Sequence, residues 1–327
     1  MHAIVTDAAG QLSWQEVPDI EAGPGDVVIK VRAAGINRAD LLQAAGLYTP
    51  PPGASTILGL EVSGAITAVG RDVGDFHVGQ QVCALLAGGG YAQYVAVPAG
   101  QVMPIPAGVN IPDAAALPEA ACTVWSNLVM TANLTAGDVI LVHGGASGIG
   151  THAIQVTRAL GATVAATAGS ATKLELCTDL GADIVISHRD EDFVERVRAA
   201  TAGKGADVIL DIMGASYLDR NIAALAPDGR LVIIGMQGGI KADLNIASLI
   251  GKRLQVIGTA LRARPLDGPE GKRAIVEAVV ASVWPMIATG TVRPVIGARF
   301  PIEQAGEAHR VLAAGETVGK ILLDVAG

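Results

Sequence analysis

Aromatic residues make up only 3% of the 327 residues: three Phe, four Tyr and three Trp. A core must therefore be assembled from Ala, Val, Ile and Leu, which the chain has in plenty, half of its residues being apolar. Charge is sparse as well, at 17%. That composition excludes a disordered chain. Basic residues are in deficit, 23 Lys and Arg against 31 Asp and Glu, for a formal net charge of −8. No surface-wide positive field exists to neutralise phosphate backbones or anionic lipid, so neither nucleic acid nor a membrane is an expected partner. No run approaches the roughly 18–20 apolar residues that cross a bilayer. The opening MHAIVTDAAG has neither a basic n-region nor an apolar h-region, and a soluble, cytoplasmic protein is expected. Cysteine is limited to Cys83, Cys122 and Cys177, odd in number and far apart. They exclude a disulfide framework and any CxxC metal knuckle.

What is abundant is glycine, 41 residues, and the length exceeds the usual single domain of roughly 100–150 residues, so two domains are expected. Up to about residue 105 the chain reads as short β-type runs between Gly, Pro and Asp: His2–Thr6, Leu12–Val17, Val27–Ala33, Val62–Val69, Gln81–Leu86 and Ala92–Val97. They predict a small barrel-like β domain. Residues Pro112–Asn133 read as helical, and from Asp138 strands alternate with helices: DVILVHG, TVAATAG, DIVIS, DVILDIMG, RLVIIG and LQVIGTAL. These six runs are continuously apolar, as strands buried on both faces are, and predict an α/β, doubly wound parallel six-stranded sheet. A helix over Gly271–Thr289 and a last strand pair, Val295–Phe300 and Ile321–Val325, are expected to return to the first domain. The division expected is 1–119 with 262–327, and 120–261.

The first strand of that sheet runs into Gly144-Gly145-Ala146-Ser147-Gly148-Ile149-Gly150 and then a helix. Glycines there let the backbone turn sharply and approach a pyrophosphate, whose charge sits against the free N–H groups of the helix start. The alternative is a tight turn with no ligand. Gly88-Gly89-Gly90 precedes a strand and reads as a loop turn. About 20 residues beyond the glycines, sites for NAD carry an Asp or Glu on the ribose hydroxyl. This chain has Ala168-Gly169-Ser170-Ala171-Thr172-Lys173, with no carboxylate before Glu175. A hydroxyl, a helix start and a lysine suit a 2′-phosphate, so NADPH is the expected cofactor. Taken singly, Ser170 also reads as a helix N-cap and Lys173 as a solvated first-turn residue.

If the dinucleotide serves hydride transfer, the acceptor must be polarised. Dehydrogenases of this layout that use zinc carry a Cys/His/Cys set. Here GINRAD offers Asn37 and Asp40, and LGLEVSG offers Leu60 and Glu61 where a His would stand. None of Tyr48, Tyr91, Tyr94 or Tyr217 has a lysine four residues on, so no Tyr-x-x-x-Lys pair replaces the metal. An intrinsically reactive acceptor is expected. The segments GINRADLLQAAGLYTPPPGASTILGLEVSG, LLAGGGYAQYVAVPAG, MPIPAGV, LPEA, HGGASGIGTHAIQ and the closing GKILL resemble the zinc-free quinone oxidoreductases of the medium-chain dehydrogenase/reductase superfamily. That group includes zeta-crystallin, and within it the likeness runs closest to the tumour-suppressor-inducible branch.

The resemblance implies a GroES-like β domain facing a Rossmann domain, NADPH in the cleft, a small quinone, ortho-quinones included, stacked on the nicotinamide, and no metal. It also implies a homodimer joined through the Rossmann edge strand LQVIGTAL, pairing that a bare apolar edge invites on physical grounds too. It places Asn37 and Tyr48 beside nicotinamide and quinone, Thr123 against the nicotinamide amide, and Ser147 with Gly145, Gly148 and Ile149 at the pyrophosphate. Gly169, Ser170 and Lys173 would hold the 2′-phosphate. Gly235, Met236 and the stretch Gly258, Thr259, Ala260 and Leu261 would line the nicotinamide side. Where the family has an Asn-Tyr pair after the third strand, this chain has Ser187-His188. His188, when protonated, would favour the phosphate and tighten NADPH binding on acidification.

Local readings compete with these roles. Asn37 followed by Asp40 fits a helix N-cap with its N3 acid. Tyr48 fits a packed loop aromatic, Thr123 and Cys122 core residues of an apolar helix, His143 a satisfied core histidine, and Ser147 a small residue required by close packing. Two other functions share the architecture: an NADPH-dependent alkenal or enone double-bond reductase, and a non-catalytic NADPH-binding crystallin-like protein.

Overall fold

The computed structural model describes residues 1–326. The chain runs through β1 (His2–Thr6), β2 (Leu12–Glu16), β3 (Asp26–Ile36), α1 (Arg38–Ala44), β4 (Glu61–Val69), β5 (Gln81–Leu85), β6 (Tyr94–Pro98) and β7 (Val102–Pro104). Then come α2 (Ile111–Ala114), α3 (Pro118–Val124) and a π-helical segment, Trp125–Thr131. Strict alternation follows: β8 (Val139–Val142), α4 (Gly148–Ala159), β9 (Thr163–Ala168), α5 (Ala171–Asp179), β10 (Ile184–Ser187), α6 (Phe193–Ala200), β11 (Ala206–Asp211), α7 (Leu218–Ala224), β12 (Leu225–Ile233), α8 (Ile246–Lys252) and β13 (Gln255–Gly258). The closing elements are α9 (Lys272–Ala288), β14 (Ile296–Pro301), α10 (Ala305–Ala314) and β15 (Lys320–Asp324).

The chain divides into two compact units. The first comprises Met1–Cys122, Leu261–Gly290 and the residues from Pro294 onward; the second comprises Thr123–Ala260 and Thr291–Arg293.

In the second unit the strands form one six-stranded sheet, β10-β9-β8-β11-β12-β13, and every neighbouring pair is parallel. That is the doubly wound Rossmann order, with its switch point between β8 and β11. The sequence expectation of fold class holds here, because continuously apolar strands can be satisfied only by helices on both faces. Ile209, Leu141, Ala165, Leu231, Phe193 and Val197 are among the side chains of its core.

In the first unit the order is β14-β15-β3-β4-β5-β7, with β6 also paired to β3, beside a separate hairpin of β1 and β2. β15 pairs antiparallel with β3 and parallel with β14, so the last strand pair joins the first sheet. Its core gathers Ile4, Val27, Ile29, Val62, Val82 and Tyr91.

The stretch 112–133 is not the single helix expected. Pro118 bars its predecessor, Leu117, from helical geometry, and the segment breaks into α2, α3 and the π-helical turn. Helix α8 had no counterpart among the sequence readings; Asn245 caps it, its side chain accepting from Ser248 N at 3.1 Å. Among the described residues no helix is long and apolar enough to cross a membrane.

Candidate functional site

The glycine loop of the second unit leaves β8 and enters α4. Gly144 sits at φ +68°, the left-handed region that glycine tolerates. A Cβ on Gly150 would lie 2.2 Å from Gly144 O, so only glycine permits this closeness of loop and helix. Ser147 caps α4, its Oγ accepting from Gly150 N at 3.0 Å. Its hydroxyl thus serves helix initiation, a role that the local reading of Ser147 as a small, close-packed residue did not include. The first N–H groups of α4, from Gly148 and Ile149, have no acceptor within the helix, the kind of helix start that suits an anion. Thr167 steadies the loop from β9: its O accepts from Gly145 N at 2.8 Å, and its Oγ1 from Gly144 N at 3.2 Å. His143 is a core histidine, with Nδ1 3.2 Å from Thr167 Oγ1 and Nε2 2.8 Å from Asn221 Oδ1. Burial lowers it from 6.5 to about 4.

At the end of β9, Ser170 caps α5 and accepts from Lys173 N at 3.4 Å. A Cβ on Gly169 would stand 2.8 Å from His188 Nε2 and 3.4 Å from Arg189 Nε. The structure therefore gathers Gly169, Ser170, Lys173 and His188 at one corner and adds Arg189, which the sequence reading overlooked. The nearby Asp190 is turned onto Ser187 Oγ at 2.6 Å, and Glu191 onto Ser187 N at 2.7 Å.

A third cluster joins Thr123 and Thr259. Asn127 Nδ2 donates to Thr123 O at 2.8 Å, and Thr259 Oγ1 donates to Asn127 Oδ1. The π-helical turn carries Asn127, in keeping with the habit of such turns to mark functional sites. Asn127 lies four residues after Thr123, the one hint the sequence offered. Gly235 follows β12 where a Cβ would meet Ile212 O at 2.7 Å, and Met236 is half exposed. Gly258 ends β13 with open space around it. The stretch 258–261 is divided: Gly258, Thr259 and Ala260 belong to the second unit, Leu261 to the first.

The first unit holds a buried polar cluster. Lys320 Nζ lies 2.5 Å from Glu61 Oε1 and donates to Asn37 Oδ1 at 2.7 Å and Ile36 O at 3.1 Å. Asn37 Nδ2 donates to Glu61 Oε1 at 2.9 Å, and Glu119 N to Glu61 Oε2 at 2.9 Å. Gly35 makes room, since a Cβ there would fall 2.3 Å from Glu61 Oε1. Asp40 accepts from Asn37 N at 2.7 Å, Gly59 N at 3.0 Å and Tyr91 Oη at 3.2 Å; Tyr91 Oη in turn lies 3.1 Å from His309 Nε2. Asn37 therefore is the residue before α1 with Asp40 at N3, while its side chain is spent on Glu61 and Lys320. Burial raises Asp40 to about 6. Burial and the Glu61 carboxylate raise Glu119 to about 8.

Tyr48 is half-buried in the same unit, its ring 5.2 Å from the guanidinium carbon of Arg262. Burial raises its hydroxyl above the ordinary value of 10.0. Glu119, Arg262 and Lys320 were absent from the sequence reading as site residues, although Lys320 stands in GKILL, Glu119 in LPEA, and Arg262 follows the 258–261 stretch.

Residues 23–107 match the alcohol dehydrogenase GroES-like domain and residues 148–277 the zinc-binding dehydrogenase family. A quinone oxidoreductase of Mus musculus is 30% identical over 299 residues, 91% of this chain and 88% of that protein. A mycocerosic acid synthase-like polyketide synthase of Mycobacterium tuberculosis is 32% identical over 94% of this chain, which spans only 14% of that protein. Among solved structures, Escherichia coli quinone oxidoreductase complexed with NADPH superposes with a TM-score of 0.86 at 27% identity, covering 99% of this chain and 98% of that one. The CurK enoyl reductase gives 0.86 at 26%, covering 99% of each. The chain belongs to the medium-chain dehydrogenase/reductase superfamily, with a GroES-like first unit and a Rossmann second unit.

A zinc ion, which one of these family descriptions implies, does not fit the residues present. No group of three or more His, Cys, Asp or Glu side chains among the described residues could hold a metal. At Asn37 and Glu61 the cation is already supplied by the Lys320 ammonium, and amide and carboxylate are poor substitutes for the thiolate and imidazole donors zinc favours.

Proposed function

We propose that the protein is an NADPH-dependent oxidoreductase that reduces small quinones, ortho-quinones included, without a metal, as in the zinc-free, zeta-crystallin-like group. The observation that supports this reading is the Glu61–Lys320–Asn37 cluster, in which the Lys320 ammonium is the cation held by Asn37 and Glu61, residues of the two segments that by likeness would carry a zinc set. Without a Lewis acid the acceptor must be reactive on its own account. A quinone is, because its reduced form gains an aromatic ring. NADPH when bound supplies the hydride. The start of α4 would hold its pyrophosphate, and Gly169, Ser170, Lys173, His188 and Arg189 its 2′-phosphate; this corner is open where NAD sites carry a carboxylate. Thr123 and Thr259, tied through Asn127, would fix the nicotinamide, and Tyr48 would bind the acceptor. The similarity to the NADPH complex of the E. coli enzyme supports the cofactor.

The test is an NADPH-oxidation screen across ortho-quinones, para-quinones, enones and aldehydes, with and without chelator. Turnover of quinones unaffected by chelator is expected; aldehyde turnover abolished by chelator would overturn the metal-free reading.

A second reading, reduction of an activated carbon–carbon double bond, is favoured by the similarity to the polyketide synthases and to the enoyl reductase. There the far carbon needs a proton, so the Tyr48 hydroxyl becomes essential, whereas a quinone does without it. Tyr48→Phe assayed on 1,2-naphthoquinone and on an enone separates the two. We also propose a homodimer joined through β13. It is the edge strand of its sheet, and Ile240, Ile246, Ile250 and Val256 expose apolar surface in β13 and the preceding segment.

A further inference from the structure

We propose that Arg262 is the group that binds the carbonyl oxygen of the acceptor and holds the negative charge that forms there during reduction. The inference rests on the reductase reading above and adds to it a residue and a chemistry. Arg262 is 4% exposed. Its Nε donates to Ala87 O at 2.8 Å and its Nη2 to Gln43 Oε1 at 2.7 Å. Gln43 is held for this by its own Nε2, which donates to Thr56 O at 2.9 Å. These bonds clamp the planar fork, and Nη1 is left buried with no acceptor. An unpaired buried donor is costly, and natural structures retain few of them.

The charge is unpaired too. Among the described residues Arg262 forms no ion pair with any carboxylate; of the acids whose fields reach it Asp40 comes before Glu119, and Glu119 is mainly protonated at neutral pH. A second cation, Lys272, shares that surrounding. Tyr48 presents its ring to the guanidinium, and its hydroxyl has no acceptor among the described residues. Nη1 and the Tyr48 hydroxyl are therefore two donors without an acceptor, on a guanidinium that no carboxylate contacts and on the ring it faces. A carbonyl oxygen that gains charge is the ligand such a corner fits, since fixed donors aimed at developing charge stabilise it more than they do the neutral ground state.

When a hydride enters a quinone, both of its electrons come with it, the donor leaves oxidised as NADP+, and the quinone becomes a hydroquinone monoanion. Arg262 holds that oxyanion until a proton from water completes the hydroquinone. The same group would hold the enolate oxygen formed from an enone, so the role does not depend on which acceptor is physiological.

The test uses the full chain and 4-nitrocatechol, an anion-forming mimic of a reduced ortho-quinone whose ionisation is read by its visible absorbance. The wild type is expected to bind it as the anion, with its ionisation midpoint lowered by about one pH unit. Arg262→Gln should abolish that shift, weaken binding at least tenfold and lower kcat/KM for 1,2-naphthoquinone about a hundredfold, with the Kd for NADPH unchanged. Arg262→Lys, which keeps the charge, should restore part of the shift. Equal affinity and equal ionisation in wild type and Arg262→Gln would overturn the proposal. So would a wild-type protein that binds the probe with no displacement toward the anion, a result that needs no variant to fold. Because the probe is read without turnover, failure of every quinone and enone to oxidise NADPH would sink the reductase reading separately.

Discussion

Glu61 and Lys320 are the most consequential pair of single residues, because neither has another opposite charge to turn to at comparable distance. Breaking a buried pair by removing one partner costs about 3–5 kcal/mol. Lys320→Met should therefore lower the urea midpoint sharply, while Lys320→Arg should recover much of the loss. Glu119 gives a pH dependence of definite sign. Its carboxyl is raised in the fold from 4.5 to about 8, so the stability it contributes is complete below pH 4.5 and drains away as pH rises through 8. The slope reaches at most about 1.4 kcal/mol per pH unit. Urea midpoints at pH 7 and pH 8.5, a range in which the buried histidines are mostly neutral in both states, should fall in the wild type and converge in Glu119→Gln. At this scale the sequence was half legible. That LGLEVSG offers Leu60 and Glu61, and no histidine, where likeness to zinc-using dehydrogenases would put one could be read in the sequence. The partner of Glu61 lies 259 positions later in the chain, and Arg262 reaches Gln43 and Ala87 across comparable separations; no local pattern encodes contacts of that range.

At the scale of elements, the turn from β8 into α4 and the start of α5 were readable because capping and glycine geometry are local. Ser147 and Ser170 do what their types predict at N-caps. Ser147→Ala should cost about 1 kcal/mol, the usual loss for an N-cap, measured as a lower thermal midpoint, in addition to any weakening of NADPH binding. Lys173→Met and Arg189→Met should each raise the Kd for NADPH about tenfold, a loss of about 1.4 kcal/mol, and leave that for NADH within a factor of two; fluorescence titration of both cofactors measures the ratio. Equal losses for the two cofactors would remove the 2′-phosphate from this corner. The helix expected over Pro112–Asn133 failed for a reason visible afterwards: the effect of Pro118 on its predecessor is local, but the π-helical widening of Trp125–Thr131 is fixed by packing, not by propensity.

Over the whole molecule, the alternation of apolar strands with helices made the Rossmann topology legible, since right-handed crossovers leave few alternatives. The order of the first sheet was not, because strands of the β type pair at distances that short runs do not specify. The buried titratable groups set a stability profile. His143, His152 and His309 are each lowered by burial from 6.5 to about 4, so the stability they carry is complete above pH 6.5 and is lost as pH falls through 4. Asp40 and Glu119 act in the opposite sense, but two acids do not offset three imidazoles over that range. Together these groups put the maximum near pH 6.5, and urea midpoints in half-unit steps should trace it; a monotonic rise from pH 5 to pH 8 would contradict this assignment. For the assembly, Val256→Lys with Ile250→Glu should convert a dimer to monomers in light scattering while leaving NADPH affinity within a factor of two.

The strand that carries Lys320 also fixes an order of events during synthesis. The six strands of the second sheet leave the ribosome in one uninterrupted block, and domains tend to fold as they emerge. Glu61, made far earlier, must wait through that whole block for its cation. The first unit is thus obliged to keep an unneutralised carboxylate hydrated until β15 arrives, so the half of the protein translated first is the half completed last.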